Sequence, residues 1–217
     1  MTFDVIATGS SGNAVVINKK IMIDCGVPFS RIRPHMKDLQ LVLLTHIHGD
    51  HFNHRTVRAL HQERPALRWG CCKWMVGPLL EAGVEKRQID VFETGDTLCY
   101  FRLCFVTPEP LVHDVPNCGW RINTAENEQI FYATDTGTLD GIEAPDYDLY
   151  MIEANHTRAD LEKRAREKMD AGLFSYELRA AKNHLSQEQA EEWLQHQMGP
   201  RSQYVFLHQH FPLVSGG

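Results

Sequence analysis

The stretch LVLLTHIHGDH places three histidines and an aspartate within six positions: His46, His48, Asp50 and His51. An aliphatic run precedes them, so these side chains lie near a buried strand, where a polar group without a partner costs free energy. On an extended exit from that strand His46 and His48 face the same way, and Gly49 lets the chain turn. Converging imidazoles and carboxylates suit zinc, iron or manganese. A polar surface turn is the competing interpretation, and the number of ligand types at this spacing favours a metal site.

Apolar periodicity predicts the elements that position this motif. Strands are expected at FDVIATG, AVVIN, KIMIDCG and LQLVLLTH, and helices at FNHRTVRALHQE and KWMVGPLLEAG. Later strands are expected at IDVFE, TLCYFRLCFVT, CGWRINTA, EQIFYATDTG, DLYMIEANH and QYVFLHQH. Two strand-rich halves with helices outside predict one α/β domain over residues 1–217, a four-layer αββα sandwich of two facing sheets.

Two helices are expected near the C-terminus. A charged helix is predicted from about residue 157 to 171, and its interleaved acids and bases favour a solvated, salt-bridged surface over a phosphate contact. Ser186 begins the segment SQEQ, which has the Ser-x-x-Gln form of a capping box and predicts a helix start.

Composition limits the class of protein. The net charge of −6 argues against a chain that coats nucleic acid through its overall charge. No apolar run approaches the roughly 20 residues that span a bilayer, and the N-terminus has no signal-peptide pattern. The six cysteines form no CxxC pair and are expected to be free thiols, which predicts a cytoplasmic protein with no membrane partner. Cys71 and Cys72, between Trp69 and Trp74, are expected to pack in the core or at its edge.

The motif THIHGDH resembles the His-x-His-x-Asp-His motif of the metallo-β-lactamase fold superfamily, and later stretches match in order. Asp24 in IMIDCG falls where that superfamily keeps an aspartate that supports the metal loop. His113 in LVHDVPNCGW falls at the histidine of its third motif, and Asp135 in YATDTG at the aspartate that bridges two metals. His208 in YVFLHQH falls at the final ligand. The resemblance covers essentially the whole chain and implies the αββα metallo-hydrolase fold.

By this resemblance two divalent ions, Zn²⁺ or Mn²⁺, would be bound by each chain. One ion would be held by His46, His48 and His113. The other would be held by Asp50, His51 and His208, with Asp135 between the two ions. His210 lies two residues beyond His208 and could take its place.

Two further stretches narrow the subfamily. GSSGNA and EANHT…NHLSQEQAEEWL look like the YycJ-like (WalJ) exonuclease-type group, and NHLS resembles the C-terminal layout of tRNase Z. His184 would then be a non-ligand histidine that acts on the leaving group, oriented by Glu153. The alternative is that His184 simply precedes the helix N-cap. Asn155 could line the site or cap the charged helix.

The N-terminal loop also has two interpretations. Ser10, Ser11 and Asn13 could offer hydroxyl and backbone N–H groups to a phosphate. A tight turn that requires Gly9 and Gly12 accounts for the same residues equally well.

The function implied is a binuclear metal-dependent hydrolase, a phosphodiesterase or nuclease that cleaves DNA or RNA with a hydroxide bridging two metals. Asp50, Asp135 and His184 would be its catalytic residues, and nucleic acid or a nucleotide its partner. Alternatives are a cyclic- or small-nucleotide phosphodiesterase and a thioester or lactone hydrolase, because the same hydroxide attacks carbon as well as phosphorus. A hypothesis of another class is a partner-binding domain whose metals only stabilise the fold.

Overall fold

The first half of the chain builds a six-stranded sheet in the order β1-β2-β3-β4-β5-β6. The computed structural model describes residues 1–170 and 182–209. The first three strands pair antiparallel, and β3 to β6 run parallel. Their bounds are β1 Phe3–Ala7, β2 Ala14–Ile17, β3 Ile21–Ile23, β4 Leu41–Leu44, β5 Arg68–Cys72 and β6 Ile89–Phe92.

The second half builds another six-stranded sheet, in the order β12-β11-β10-β9-β8-β7. Strands β10, β11 and β12 are parallel, whereas β7 to β10 pair antiparallel. Their bounds are β7 Leu98–Tyr100, β8 Cys104–Leu111, β9 Asn117–Thr124, β10 Gln129–Ala133, β11 Leu149–Glu153 and β12 Gln203–Leu207.

Five α-helices lie in the described residues. They are α1 Phe29–Ile32, α2 His54–Glu63, α3 Val76–Glu81, α4 Arg158–Asp170 and α5 Gln187–Gln197. Ser186 forms the predicted capping box with Gln189 at the start of α5. Helix α4 buries none of its residues, as the mixed charges predict. No helix in the described ranges is long and apolar enough to cross a membrane.

Alternating side chains divide the interior into three apolar layers, because successive residues of a strand face opposite sides. Inward residues of both sheets share the middle layer, among them Val15, Leu43, Trp120 and Met151. The outer face of the first sheet packs under α1 to α3, with Val16 and Val42 against Ile32, Val57 and Leu79. The outer face of the second sheet packs Phe131 and Ile152 against Ala190 and Leu194 of α5. The four-layer αββα prediction is therefore confirmed.

The strand predictions differ from the structure at two places, one predicted wrongly and one not predicted. The segment TLCYFRLCFVT forms a hairpin rather than one strand, because Arg102 takes a left-handed φ of 59° and Tyr100 pairs with Cys104. Strand β5 was not predicted, since its sequence RWGCC carries a glycine and an arginine. Gly70 suits this strand because an added Cβ would lie only 2.7 Å from Leu43 Cδ2.

Candidate metal centre

The candidate site lies where strands of both sheets end. Asp24 follows β3, the motif follows β4, His113 follows β8, and Asp135 follows β10. His208 follows β12. Asp24, Asp135 and His208 have φ values of 60°, 58° and 53°. Left-handed backbone is uncommon and costs free energy outside glycine, and such residues cluster at functional sites. The three residues therefore turn sharply out of their strands towards one region.

Asp24 fixes the start of the motif. Its Oδ1 accepts hydrogen bonds from the backbone N–H and hydroxyl of Thr45 at 2.9 and 3.0 Å. Its Oδ2 lies 2.7 Å from Nδ1 of His51, which donates to it. All three residues are fully buried. Asp24 thus ties both ends of the loop together and turns Nε2 of His51 towards the site.

The N-terminal loop supports the same segment from the other side. The backbone N–H of Asn13 donates to the carbonyl of Asp50 at 2.6 Å, and its side-chain amide lies 2.8 Å from His51 Nε2. Gly9 and Gly12 have positive φ values, as the turn interpretation requires. Gly26 packs directly against the Asp50 carbonyl, where a Cβ would lie at 1.7 Å. The motif loop is therefore held by backbone contacts on two sides.

His46, His48 and His113 form the first cluster of candidate ligands. Their ring centroids lie 4.8 to 5.2 Å apart. Nε2 of His113 lies 3.4 Å from Nδ1 of His48. Nδ1 of His113 is taken by the carbonyl of Asn183 at 3.1 Å, and Nδ1 of His46 by the Thr45 hydroxyl. One ring nitrogen from each of the three histidines lies within 4.8 Å of those of the other two, so the three could bind a single ion.

Asp50, His51 and His208 form the second cluster. Nε2 of His208 lies 3.4 Å from Oδ2 of Asp50. Asp135 stands between the clusters, with Oδ2 2.9 Å from His51 Nε2 and Oδ1 3.5 Å from His208 Nε2. The same Oδ1 lies 3.9 Å from His113 Nε2. One carboxylate therefore reaches both clusters.

One buried ring nitrogen without a partner tests whether a cation fits these clusters. His46 is fully buried, and among the described residues its Nε2 has no hydrogen-bond partner. A buried polar atom without a partner is costly. Borderline divalent cations bind imidazole nitrogen and carboxylate oxygen, so the donor set fits such ions.

Glu153 connects the candidate ligands to His184. It is fully buried at the end of β11. Its Oε1 lies 2.6 Å from Nδ1 of His184 and 3.1 Å from Nδ1 of His208. Its Oε2 accepts from the backbone N–H groups of Thr136 and Leu185. The rings of His184 and His208 stack with centroids 5.3 Å apart. Glu153 thus holds His184 beside the second cluster.

The pKa values of the site side chains follow from these contacts. Burial disfavours the imidazolium of His208, but Asp135, Asp50 and Glu153 outweigh it and raise its pKa to about 10. His184 behaves alike, because Glu153 and Asp135 overcome burial and raise its pKa. Burial, with neighbouring histidines, lowers the pKa of His46 far below its usual value. The centre therefore holds protons on one side and a neutral imidazole on the other.

Sequence reasoning missed some of the site. Oδ1 of Asp114 lies 3.3 Å from His113 Nε2 and 3.4 Å from His48 Nε2. Its position after His113 was the only signal. Asn155 is not a helix cap: its side-chain amide donates to the carbonyl of His208 at 3.0 Å, and Thr157 caps α4 instead. His210 lies outside the described residues. The seven predicted ligands and His184 lie together, and their roles remain predictions.

Comparison with known proteins identifies the family of this chain. Residues 19–208 match the family described as Beta-lactamase superfamily domain, and the chain belongs to that family. Fold, family and site together define a metal-dependent hydrolase.

Individual relatives and structures are more distant. The chain is 24% identical over 226 residues to Exodeoxyribonuclease WalJ of Streptococcus pneumoniae, covering 94% of this chain and 80% of that protein. The metallo-beta-lactamase fold protein YhfI of Bacillus subtilis superposes with a TM-score of 0.72 and 16% identity, covering 97% and 87% of the two chains. The short form of human tRNase Z gives 0.70 and 15%, covering 96% and 92%.

Proposed function

We propose that this protein is a binuclear metal-dependent phosphodiesterase that acts as a nuclease on DNA or RNA. The observation that carries the proposal is Asp135, whose two carboxylate oxygens reach candidate ligands of both clusters. Similarity to an exodeoxyribonuclease over 94% of the chain supports nucleic acid as the substrate class.

The chain's own residues define how two cations would be held. His46, His48 and His113 would hold one, and Asp50, His51 and His208 the other, with Asp135 shared. Bound divalent cations would acidify a water molecule and neutralise charge on the phosphoryl oxygens. Asp24 and Asn13 would keep the loop in place, since they contact His51 and Asp50 from opposite sides.

His184 would supply the proton for the leaving oxygen. Its Nδ1–H donates to Glu153, so a proton on Nε2 is free for transfer. Glu153 and Asp135 raise its pKa above the usual value despite burial, which favours the protonated ring that a general acid requires. Such proton transfer contributes about 10²–10⁴-fold in rate.

The test is a gel assay with purified protein in Mn²⁺ or Zn²⁺ buffer. Substrates are labelled single- and double-stranded DNA and RNA with 5′-phosphate or 5′-hydroxyl ends. We expect mononucleotide release or a ladder from at least one strand type, lost in Asp135→Ala and in His48→Ala. His184→Ala should retain bound metal and lose about 10²–10⁴-fold in rate. Two exposed histidines, changed as His54→Ala and His196→Ala, serve as matched controls.

The other outcomes separate the alternatives. Full cleavage by Asp135→Ala or His48→Ala would refute the binuclear mechanism. If the nucleic-acid strands stay intact while a cyclic nucleotide, a thioester or a lactone is hydrolysed, that compound class is the substrate instead. Two bound ions with no turnover of any ester would favour the partner-binding hypothesis.

A further inference from the structure

Two thiols from opposite sheets meet in the middle layer of the fold. Cys72 ends β5 and Cys118 lies near the start of β9, and both belong to the inter-sheet core. Both thiols line one cavity, and the Cys118 thiol donates to the backbone carbonyls of Leu44 and Thr45 at 3.9 and 3.8 Å. Cys71, the neighbour of Cys72, faces the opposite side of its sheet, in the layer under α1 to α3. Because side chains alternate along β5, Cys72 rather than Cys71 faces Cys118.

A cavity of about 200 Å³ gives small molecules a route to the pair. Cys72 and Cys118 both line it, and its other walls are mainly apolar: Trp74, Pro108, Pro110, Leu111 and Pro116. Trp74 is 37% exposed, and its indole N–H is tied to the Thr45 carbonyl at 3.1 Å. The exposed wall and the buried thiols place a small disulfide within reach of Cys72.

We propose that Cys72 and Cys118 are a redox-active pair that forms a disulfide by exchange with a low-molecular-weight disulfide. Cys72 sulfur, as thiolate, attacks one sulfur of the small disulfide, forming a mixed disulfide and releasing a thiolate that takes up the Cys72 proton. Cys118 sulfur then attacks the Cys72 sulfur. The Cys72–Cys118 bond forms, and the second small thiol leaves with the Cys118 proton.

The order of attack follows from the exposure of the two thiols: Cys72 is 5% exposed and Cys118 only 1%. The pKa directions agree. The neighbouring Cys118 thiol lowers the pKa of Cys72 and outweighs burial, which raises it. Burial raises the pKa of Cys118 well above its usual value, and the neighbouring Cys72 adds to this effect. Cys72 is thus the thiol with more thiolate character, and the more buried Cys118 resolves the mixed disulfide.

A Cys72–Cys118 disulfide would lie next to the candidate ligand loop and should stabilise the fold. Cys118 sulfur lies 3.8 Å from the carbonyl of Thr45, which directly precedes the candidate ligand His46. The disulfide would join the two sheets beneath the ligand loop. Because it restricts the unfolded chain, it should raise the melting temperature of the oxidised protein.

Cystamine is the probe, applied to the folded full chain carrying Cys99→Ala, which removes the exposed cysteine. We expect the intact mass to fall by two hydrogens, a non-reducing peptide map to join Cys72 with Cys118, and Tm to rise until reductant is added. Cys118→Ala should stop at a mixed disulfide on Cys72, and Cys72→Ala should leave Cys118 free. Cys71→Ala is the matched control and should react as the parent does.

The proposal would be overturned if both thiols of the folded parent stayed free. It would also be overturned if Cys118 took the adduct in Cys72→Ala as readily as Cys72 does in Cys118→Ala. Melting curves recorded before treatment confirm that each variant is folded, and Cys118→Ser replaces Cys118→Ala if it is not. Since mass and Tm are read without substrate, neither result depends on the nuclease assay.

Discussion

Gly26 lies against the backbone of the candidate ligand loop, so the change Gly26→Ala tests how that loop is held. An alanine Cβ would lie 1.7 Å from the carbonyl oxygen of Asp50 and 2.6 Å from the backbone nitrogen of His51. The nearest approach is half of the 3.4 Å at which ordinary contact begins. Both neighbours are backbone atoms, so no side-chain rotation can relieve the overlap.

The loop must therefore move, and it can move only by giving up its supports. The hydrogen bonds at stake join Asn13 N to the Asp50 carbonyl and Cys25 N to the His51 carbonyl. Overpacking lowers the free energy of unfolding by typically about 1–3 kcal/mol. Because the atoms that overlap here belong to the backbone, we expect about 3 kcal/mol. For a chain of this size that lowers Tm by about 6–12 °C. Displaced Asp50 and His51 should also weaken metal binding in the second cluster.

Melting curves and metal content per chain after dialysis are the assays. Gly49→Ala is the matched control, because Gly49 lies in the same loop and an added Cβ would meet nothing within 4 Å. Its φ is not among the positive values, so alanine is tolerated there and the turn needs no glycine. A Gly26→Ala protein with the Tm and metal content of the parent would refute this account of the loop.

Three further predictions follow from the contacts of the site. In Glu153→Gln the pKa of His184 should fall, because the carboxylate that raises it is lost, and the alkaline limb of the pH profile of kcat should move to lower pH. An alkaline limb that does not move would exclude His184 as the general acid. Metal binding at pH 7 should release about two protons, from His51 and His208, because the pKa values of both are raised. Metal affinity should therefore increase with pH. Calorimetry in buffers of different ionisation enthalpy counts the released protons. Ser186→Ala removes the capping box and should cost about 1 kcal/mol, seen as a Tm lower by about 2–4 °C, whereas an unchanged Tm would show that the cap contributes nothing.

The layers of the fold were predictable because strand periodicity is local. Continuous apolar runs such as LVLL are buried on both faces, and the structure packs Leu43 inward and Val42 outward. The hairpin at Arg102 and the strand β5 were not predictable in the same way. The hairpin pairs Tyr100 with Cys104, but its turn sequence Phe-Arg-Leu contains none of the usual turn residues. The strand centred on Gly70 depends on β4 and β6, which are distant in sequence. Local propensity gives no signal for either.

The candidate site likewise has a part that was predictable from local sequence and a part that was not. His46 to His51 are close in sequence, so their spacing alone indicates shared chemistry. The supports of that loop come from other elements: Asp24 follows β3, and Asn13 precedes β2. Only the resemblance to a known family connected Asp24 to the motif. For Asn13 the sequence left a phosphate contact and a glycine turn equally open.

The contacts of Asn13 explain how one short loop can suit both interpretations. Its side chain is buried and occupied, since Oδ1 accepts from Gly9 N–H and the amide reaches Asp50 and His51. Asn13 therefore supports the ligand loop and has no group to spare for a phosphate. Ser10 and Ser11 are exposed at the tip of the same turn. Because buried Asn13 fixes this loop to the candidate ligands, the exposed tip of the loop also has a fixed position relative to them. Gly9 and Gly12 allow this turn through their positive φ values.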